Sequence, residues 1–317
     1  MDLSLSDPII LTLVSGSLVG LLLSWYVFIS GRVVTDQATS RSLHQGRAVT
    51  GGGLWMFVPV AVFIIWLHPA FMPAYLLLLM AWLGFADDRF DLSFKPRLLA
   101  QLLITVICLY WFGHLPGWFG LFLMVALIWW MNLFNFMDGA NGMAGLHGLV
   151  IVSFHVMLGL EQPALMSLMY ATWGVMVVYL VFNLILRRLF MGDSGSLPLA
   201  FLVALLAFGA VAEGTLSYHQ IALIHAVFIT DATLTLLLRI KAGENITQAH
   251  ASHLYQRIIK TGVSHARVSI TYALITALLC GMAWVLPHWL VWQQMLAVVG
   301  IYLILVVIFS KTLNLGR

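Results

Sequence analysis

Most of the residues able to do chemistry in this 317-residue chain fall in a few short polar interruptions of an otherwise apolar sequence. Asp87 and Asp88 close an apolar run in GFADDRF. A helix ending there puts two adjacent carboxylates at the negative pole of its macrodipole. They repel each other and the dipole, so an offsetting cation is expected: Arg89, Lys95 or Arg97 nearby, a divalent metal, or a metal-bound phosphate. A solvated turn is the plain alternative. Further on, Asn132, Asn135 and Asp138 recur at spacings of three and so lie near one helical face. Stacked amide and carboxylate oxygens suit a hard cation such as magnesium, although Asn side chains also bond membrane helices to one another. The string GDSGS places Asp193 among small residues just before another apolar run. Such a turn offers free N–H groups to phosphate oxygens, but Asp and Ser there are also ordinary helix caps. The stretch 239–267 mixes His250, His253 and His265 with five basic residues, Arg257 among them, as a clamp for a diphosphate or phosphate monoester would. Arg41, His44, Arg47 and the triplet Gly51–Gly53 make a weaker candidate, a glycine-rich phosphate cradle.

These groups must be positioned by membrane helices. Hydrophobic residues make up 62% of the chain and charged ones 9%, which excludes a soluble globular enzyme and leaves short loops as the only place for polar chemistry. Eleven apolar runs stand out, near 9–29, 52–67, 72–86, 98–113, 118–134, 142–160, 164–186, 196–212, 219–238, 268–286 and 289–309. The fold class expected is all-α: a polytopic integral membrane protein of about eleven transmembrane helices, read as a single domain over 1–317. All fifteen Lys and Arg fall in odd-numbered connections, and none in the even ones. The positive-inside rule then puts the N-terminus outside and the C-terminus in the cytoplasm. Cytoplasmic loops follow near 30–51, 87–97, 135–141, 187–195 and 239–267. The first run lacks a preceding basic segment and is long enough to cross a bilayer, so it reads as a retained span, not a cleaved signal.

Other polar residues carry less. The two cysteines, Cys108 and Cys280, lie in apolar runs without metal or redox spacing. His147, His155 and His225 read as packing histidines, and the twelve Trp as an interfacial belt. Asp231 is the exception. A carboxylate within a span costs about 2.5–3.5 kcal/mol at the bilayer centre, so it should face a cavity or pair with a cation, with Arg239 as a distant candidate. The three acidic motifs and two His/Arg loops are scattered along the chain, yet all land on one membrane face. A cytoplasmic metal and phosphate site is the economical account.

In order, the motifs are Asp87-Asp88, NLFNFMDGANG at 132–142, FMGDSGS at 190–196 and HASHLYQR at 250–257. This ordered set resembles the polyprenyl-phosphate N-acetylhexosamine-1-phosphate transferase family, and the SHLYQR form is most similar to its O-antigen initiating branch. The resemblance implies transfer of a sugar 1-phosphate from a UDP-N-acetylhexosamine to undecaprenyl or another polyprenyl phosphate, with magnesium (or manganese in its place) and release of UMP. It implies that Asp193 and Asn135 hold the metal and that Asp87 and Asp88 sit by the attacking lipid phosphate. It also implies that Phe190 stacks on uracil, that Asn141 bonds it, and that His253 and Arg257 contact the diphosphate. Asn132, Asp138 and His250 join the substrate-binding set. The setting would be the bacterial inner membrane with the active site on its cytoplasmic face; a homodimer is compatible, and no nucleic acid is involved. The sequence departs where Leu254-Tyr255 follow His253 and where GRAVTGGG replaces a more basic, proline-containing string.

A polytopic transporter of an anionic metabolite is the rival reading. It predicts polar residues in mid-span and symmetry between halves, whereas only Asp231 is clearly intramembrane. The charge division makes a topological prediction: reporters fused after residues 40, 90, 190 and 255 should report cytoplasm, and those after 70, 115, 162 and 216 the outside. Any of the first four appearing outside would dismantle the shared-face argument.

Overall fold

The computed structural model describes residues 6–29, 35–37, 47–245 and 250–315. Arg41 and His44 of the first-loop cradle lie outside these. Helix α1 (Pro8–Ser24) is started by Asp7, whose carboxylate accepts the Ile9 N–H at 2.9 Å, and runs on as a π-turn to Ile29. Then follow α2 (Gly52–Leu67), α3 (Met72–Phe90), α4 (Phe94–Trp111), α5 (Trp118–Phe136) and α6 (Met143–Leu158). Next come α7 (Pro163–Leu180, with a π-turn to Ile185) and α8 (Asp193–Ala212). Helices α9 (Tyr218–Ile224) and α10 (Ala226–Lys241) are bent by 73° at His225. The chain closes with α11 (Leu254–Lys260), α12 (His265–Val285) and α13 (Val291–Leu315).

Each of the eleven apolar runs is thus occupied by a helix or a bent pair. Seven helices are long and apolar enough to cross a membrane, or eight if α9 and α10 form one span. The other three fall short for visible reasons. Helices α2 and α6 have only 16 residues each, and α3 carries Asp87, Asp88 and Arg89 in its last turns. One small sheet departs from the all-helical expectation: β1 (Thr35–Gln37) pairs antiparallel with β2 (Arg47–Val49), and Val49 bridges to Leu189.

Helix α8 is the centre of the bundle. It is buried over 83% of its span against 17% for α13, and it packs on α2, α3, α5 and α6. Two glycines allow this approach. A Cβ on Gly84 of α3 would run into the Asp193 carbonyl, and one on Gly53 of α2 into Gly195. The expected phosphate cradle at Gly51–Gly53 is therefore a packing device at Gly53. Burial follows the apolar pattern around this axis, with Leu76, Leu77, Met80, Phe134, Phe201 and Leu205 fully buried or nearly so.

Polar contacts sort by connection parity. At one end His68 meets Ser167, Glu213 accepts the Glu161 and Gln162 N–H groups, His114 meets Tyr218, and His219 meets Gln294. All belong to or flank even-numbered connections. At the other end lie Asp87, Asp88, Asn135, Asn141, Phe190, Asp193 and α11. The sequence motifs do converge on one end of the bundle.

The close approach of α3 and α8 is testable. Gly84→Ala should destabilise the detergent-solubilised protein by about 1–3 kcal/mol through overpacking. Gly281→Ala, where the added atom meets nothing within 4 Å, should leave the thermal midpoint nearly unchanged.

Candidate active site

The carboxylate pair at the end of α3 finds its counter-charge in two places. Arg97, at the start of α4, places Nη1 2.5 Å from Asp87 Oδ2 and 3.5 Å from Asp193 Oδ2, so one guanidinium serves carboxylates from two helices. Asp87 Oδ1 accepts the Leu92 N–H at 3.0 Å, which closes the turn between α3 and α4. The second counter-charge is the amino end of α8. Asp88 accepts the N–H of Asp193 at 2.8 Å and of Ser194 at 3.0 Å, one on each carboxylate oxygen. A helix amino end carries unsatisfied donors and roughly half a positive charge, and so favours a carboxylate there. Of the other cations expected near the pair, Arg89 lies over the Phe90 ring instead, 5.6 Å from its centroid.

This arrangement decides between the two readings of Asp193. Its own carboxylate does not cap α8; the N-cap position is Gly192, and the cap comes from Asp88. Gly192 has φ 69°, and a side chain there would strike the Asp88 carboxylate. Asp193 is left to face Asn135, whose Nδ2 donates to Asp193 Oδ2 at 3.2 Å while its Oδ1 accepts from Ser196 Oγ at 2.8 Å. Asp88 is half-buried, and burial raises its pKa first; the N–H bonds pull it down, and Asp87 pushes it up again. Half-buried Asp138, in the turn after α5, is raised well above the ordinary value by burial and then by Asp88. The site is thus a cluster of closely spaced carboxyl groups that, among the described residues, meets one guanidinium, that of Arg97.

Among the described residues no three Asp, Glu, His or Cys side chains are grouped as a ready-made metal cage. Magnesium does not need one, since it is usually held by one or two carboxylates together with substrate phosphates. Asp193 beside the Asn135 amide, within an excess of carboxylates, is a hard-oxygen donor set of that kind.

Not every expected residue belongs to this cluster. Asn132 does not reach it: its Nδ2 donates to Gln101 Oε1 on α4 and to the Ile128 carbonyl, both at 2.8 Å, which is the helix-bonding alternative. Asn141 is buried, with Nδ2 donating to the Asn183 carbonyl at 2.7 Å. Asn183 Oδ1 in turn accepts the Gly142 N–H at 2.6 Å, so both serve first to pin the turn between α5 and α6. Phe190 is half-buried, its backbone tied to Val49 and Gly52 beside the cluster.

The basic segment forms a separate wall. His253 occupies the N-cap position of α11 and is buried, its ring stacked on Phe136 with centroids 5.8 Å apart. His250 lies beside it and bonds Ser252; burial first, then His253 and Arg239, lower its pKa to about 4. It is neutral at pH 7 and brings no charge to the expected His/Arg clamp; Arg257 is half-buried on α11 and without an ion-pair partner among the described residues. Arg239 pairs with Glu244 at 2.7 Å, not with Asp231. Among the described residues Asp231 pairs with no Lys or Arg; it accepts the N–H groups of Leu254 and Tyr255 and the Tyr272 hydroxyl. Sequence reasoning missed Tyr255, whose hydroxyl donates to the Phe136 carbonyl at 2.9 Å and accepts the Gly139 N–H at 3.0 Å. A tyrosine two residues after a histidine carries no signal until the fold brings α11 against the end of α5.

A bundle of apolar helices with carboxyl and amide oxygens, an arginine and a basic wall gathered at one end defines a polytopic membrane protein with a polar, charged cluster at that end. Comparison with known proteins carries this further. Residues 70–211 match glycosyl transferase family 4, and the resemblance read from the motifs is borne out. The chain is 28% identical to the undecaprenyl-phosphate alpha-N-acetylglucosaminyl 1-phosphate transferase of Salmonella typhi, across 81% of this chain and 79% of that protein. It is 26% identical to the enzyme of the same name from Escherichia coli (strain K12), across 78% and 75%. It is also 24% identical to the phospho-N-acetylmuramoyl-pentapeptide-transferase of Lactococcus lactis subsp. cremoris (strain MG1363), across 80% and 88%. The matched segment runs from α3 to the end of α8 and so contains Asp87, Asp88, Asn135 and Asp193.

Capping from another helix is testable separately from catalysis. Asp88→Ala leaves the Asp193 and Ser194 N–H groups without acceptors and should destabilise the protein by about 1–2 kcal/mol. Asp88→Asn, which keeps one acceptor, should lose less, as read by thermal unfolding in detergent.

Proposed function

We propose that this chain transfers an N-acetylhexosamine 1-phosphate from a UDP-sugar to undecaprenyl or another polyprenyl phosphate, releasing UMP and starting a lipid-linked cell-surface glycan. The observation that carries the reading is the meeting of Asp87, Asp88, Asn135 and Asp193, from three separate helices, with Arg97 at one end of the bundle. The setting proposed is the bacterial inner membrane, with eleven spans, the N-terminus outside and this end of the bundle cytoplasmic. All fifteen Lys and Arg fall in connections of that parity, which supports it. A cytosolic sugar nucleotide and a headgroup-level lipid phosphate can meet only at such an end.

Asp193 and the Asn135 amide oxygen would hold magnesium, which when bound neutralises charge on the diphosphate oxygens. Arg97, poised between Asp87 and Asp193, orients the attacking lipid phosphate, and Asp87 fixes Arg97. Asp88 acts by holding the amino end of α8 and hence Asp193. Arg257 takes the donor diphosphate, with Phe190 and Asn141 toward the uracil. The lipid phosphate oxygen attacks the sugar-bearing phosphorus in line, a new phosphoanhydride forms, and the old one breaks with its electron pair going to UMP. Such a step asks for positioning and charge stabilisation more than for covalent catalysis.

The purified protein, given undecaprenyl phosphate and a panel of UDP-N-acetylhexosamines with magnesium, should form a lipid diphosphate sugar and release UMP. Because one phosphoanhydride replaces another, labelled UMP should exchange into UDP-sugar when the lipid product is present, and chelator should abolish the exchange. Asp193→Asn should reduce the rate on the order of a hundredfold or more while the protein still folds. Release of UDP, or a lipid product with one phosphate, would overturn the mechanism. Flux of an anion through proteoliposomes without turnover would favour the transporter.

A further inference from the structure

Asp231 lies on α10, somewhat under two helical turns beyond the bend at His225, and the proposed chemistry does not use it. It is 1% exposed. Its carboxylate is nevertheless fully engaged. Oδ1 accepts the Leu254 N–H at 2.8 Å, and Oδ2 accepts the Tyr255 N–H at 3.1 Å and the Tyr272 hydroxyl at 2.7 Å. Oδ1 also lies 3.8 Å from His253 Nδ1, a buried nitrogen with no hydrogen-bond partner among the described residues. One carboxylate therefore ties together α10, the amino end of α11 and α12. The chain of contacts continues, because the hydroxyl of Tyr255 holds both the Phe136 carbonyl and the Gly139 N–H. These bracket the turn that carries Asp138 and follows Asn135. Among the described residues, no hydrogen bond or ion pair joins His250, His253 or Arg257 directly to Asp87, Asp88 or Asp193. The Tyr255 hydroxyl is the hydrogen-bonding bridge from α11 to Phe136 and Gly139, beside the stacking of His253 on Phe136 and the approach of His265 Nδ1 to the Asn141 N–H.

We infer that Asp231 is a positioning residue: it fixes the amino end of α11 and, through Tyr255, the turn at 136–142, so that the basic wall and the carboxylate cluster are held in one register. The carboxylate form is needed, since an amide at this position can accept at only one of its two heavy atoms while two backbone N–H groups and a hydroxyl must be met. Removing either link should loosen the turn without loosening α8, which Asp88 caps independently.

The test uses hydrogen exchange on the purified full-length protein together with steady-state kinetics. In Asp231→Asn, exchange should speed up in residues 254–260 and in 136–142, with 193–212 unchanged. In Tyr255→Phe it should speed up in 136–142 while 254–260 stays protected. Wild-type exchange at 136–142 in both variants, or a uniform rise across all helices, would overturn the inference. If Asp231→Asn does not accumulate, Tyr255→Phe alone decides the link to the turn. The kinetic part rests on the proposed donor role of Arg257. There Asp231→Asn should raise KM for the UDP-sugar on the order of ten- to a hundredfold, the factor carried by one charge-assisted hydrogen bond, and leave KM for the lipid phosphate unchanged. Equal effects on both substrates would refute positioning of the donor side. Absence of turnover in the wild-type protein would instead defeat the transferase reading, with the exchange result still deciding the role of Asp231.

Discussion

The carboxyl end of α3 meets the amino end of α8, and most of the site depends on that junction. Opposite helix poles attract, but the attraction is spent only if the orphan N–H groups find acceptors without water. Asp88 supplies both acceptors from the neighbouring helix. Three consequences follow from this one contact. The unfavourable placement of two carboxylates at a helix carboxyl end is offset by the donors opposite. Helix α8 is fixed in height along α3, which requires Gly84 where the backbones crowd and Gly192 where a side chain would strike the Asp88 carboxylate. Asp193, relieved of capping its own helix, keeps its carboxylate for Asn135 and Arg97.

Much of the helical layout was legible because a bilayer enforces it: a run of about twenty apolar residues in lipid has to be a helix, whatever its propensity. The eleven runs accordingly became eleven helices or bent pairs, with boundaries displaced by a few residues. The bend at His225 was not visible, since an apolar run gives no sign of where its axis turns. Nor was the β1–β2 hairpin, whose three-residue strands are too short to show an alternating pattern.

For the site, residue type and spacing located the acidic motifs but not their division of labour. Asp87, Asp88 and Asp193 look equivalent in sequence; one pairs with Arg97, one caps α8, and one faces Asn135. That difference comes from which backbone N–H groups lie opposite, a tertiary fact. Asn132 was misplaced for a related reason. A spacing of three puts it on the face of Asn135, yet it sits deep enough to meet Gln101, and a polar pair within the bundle satisfies itself. Asp231 was correctly marked as anomalous. It was expected to face a cavity or to pair with a cation; two backbone N–H groups and a phenol hydroxyl meet its need instead.

Asp88 and Asp231 turn out to solve the same problem. Each stands on one helix and receives two successive backbone N–H groups from the start of another, and each of those helices carries a residue that the proposed chemistry uses: Asp193 on α8 and Arg257 on α11. A helix that begins at a membrane face can cap itself with a local Ser, Thr or Asp, as α1 and α12 do with Asp7 and Ser264. Self-capping, however, occupies the side chain at the helix start and leaves the helix free to shift against its neighbours. Capping from a second helix costs a buried carboxylate, but it frees the side chain at the helix start and fixes the relative height of the two helices in the same contacts. Where phosphate oxygens must be met within a few tenths of an ångström by groups from separate helices, register is the quantity that has to be controlled. Carboxylates used in this way do for the site what no loop on its surface could do.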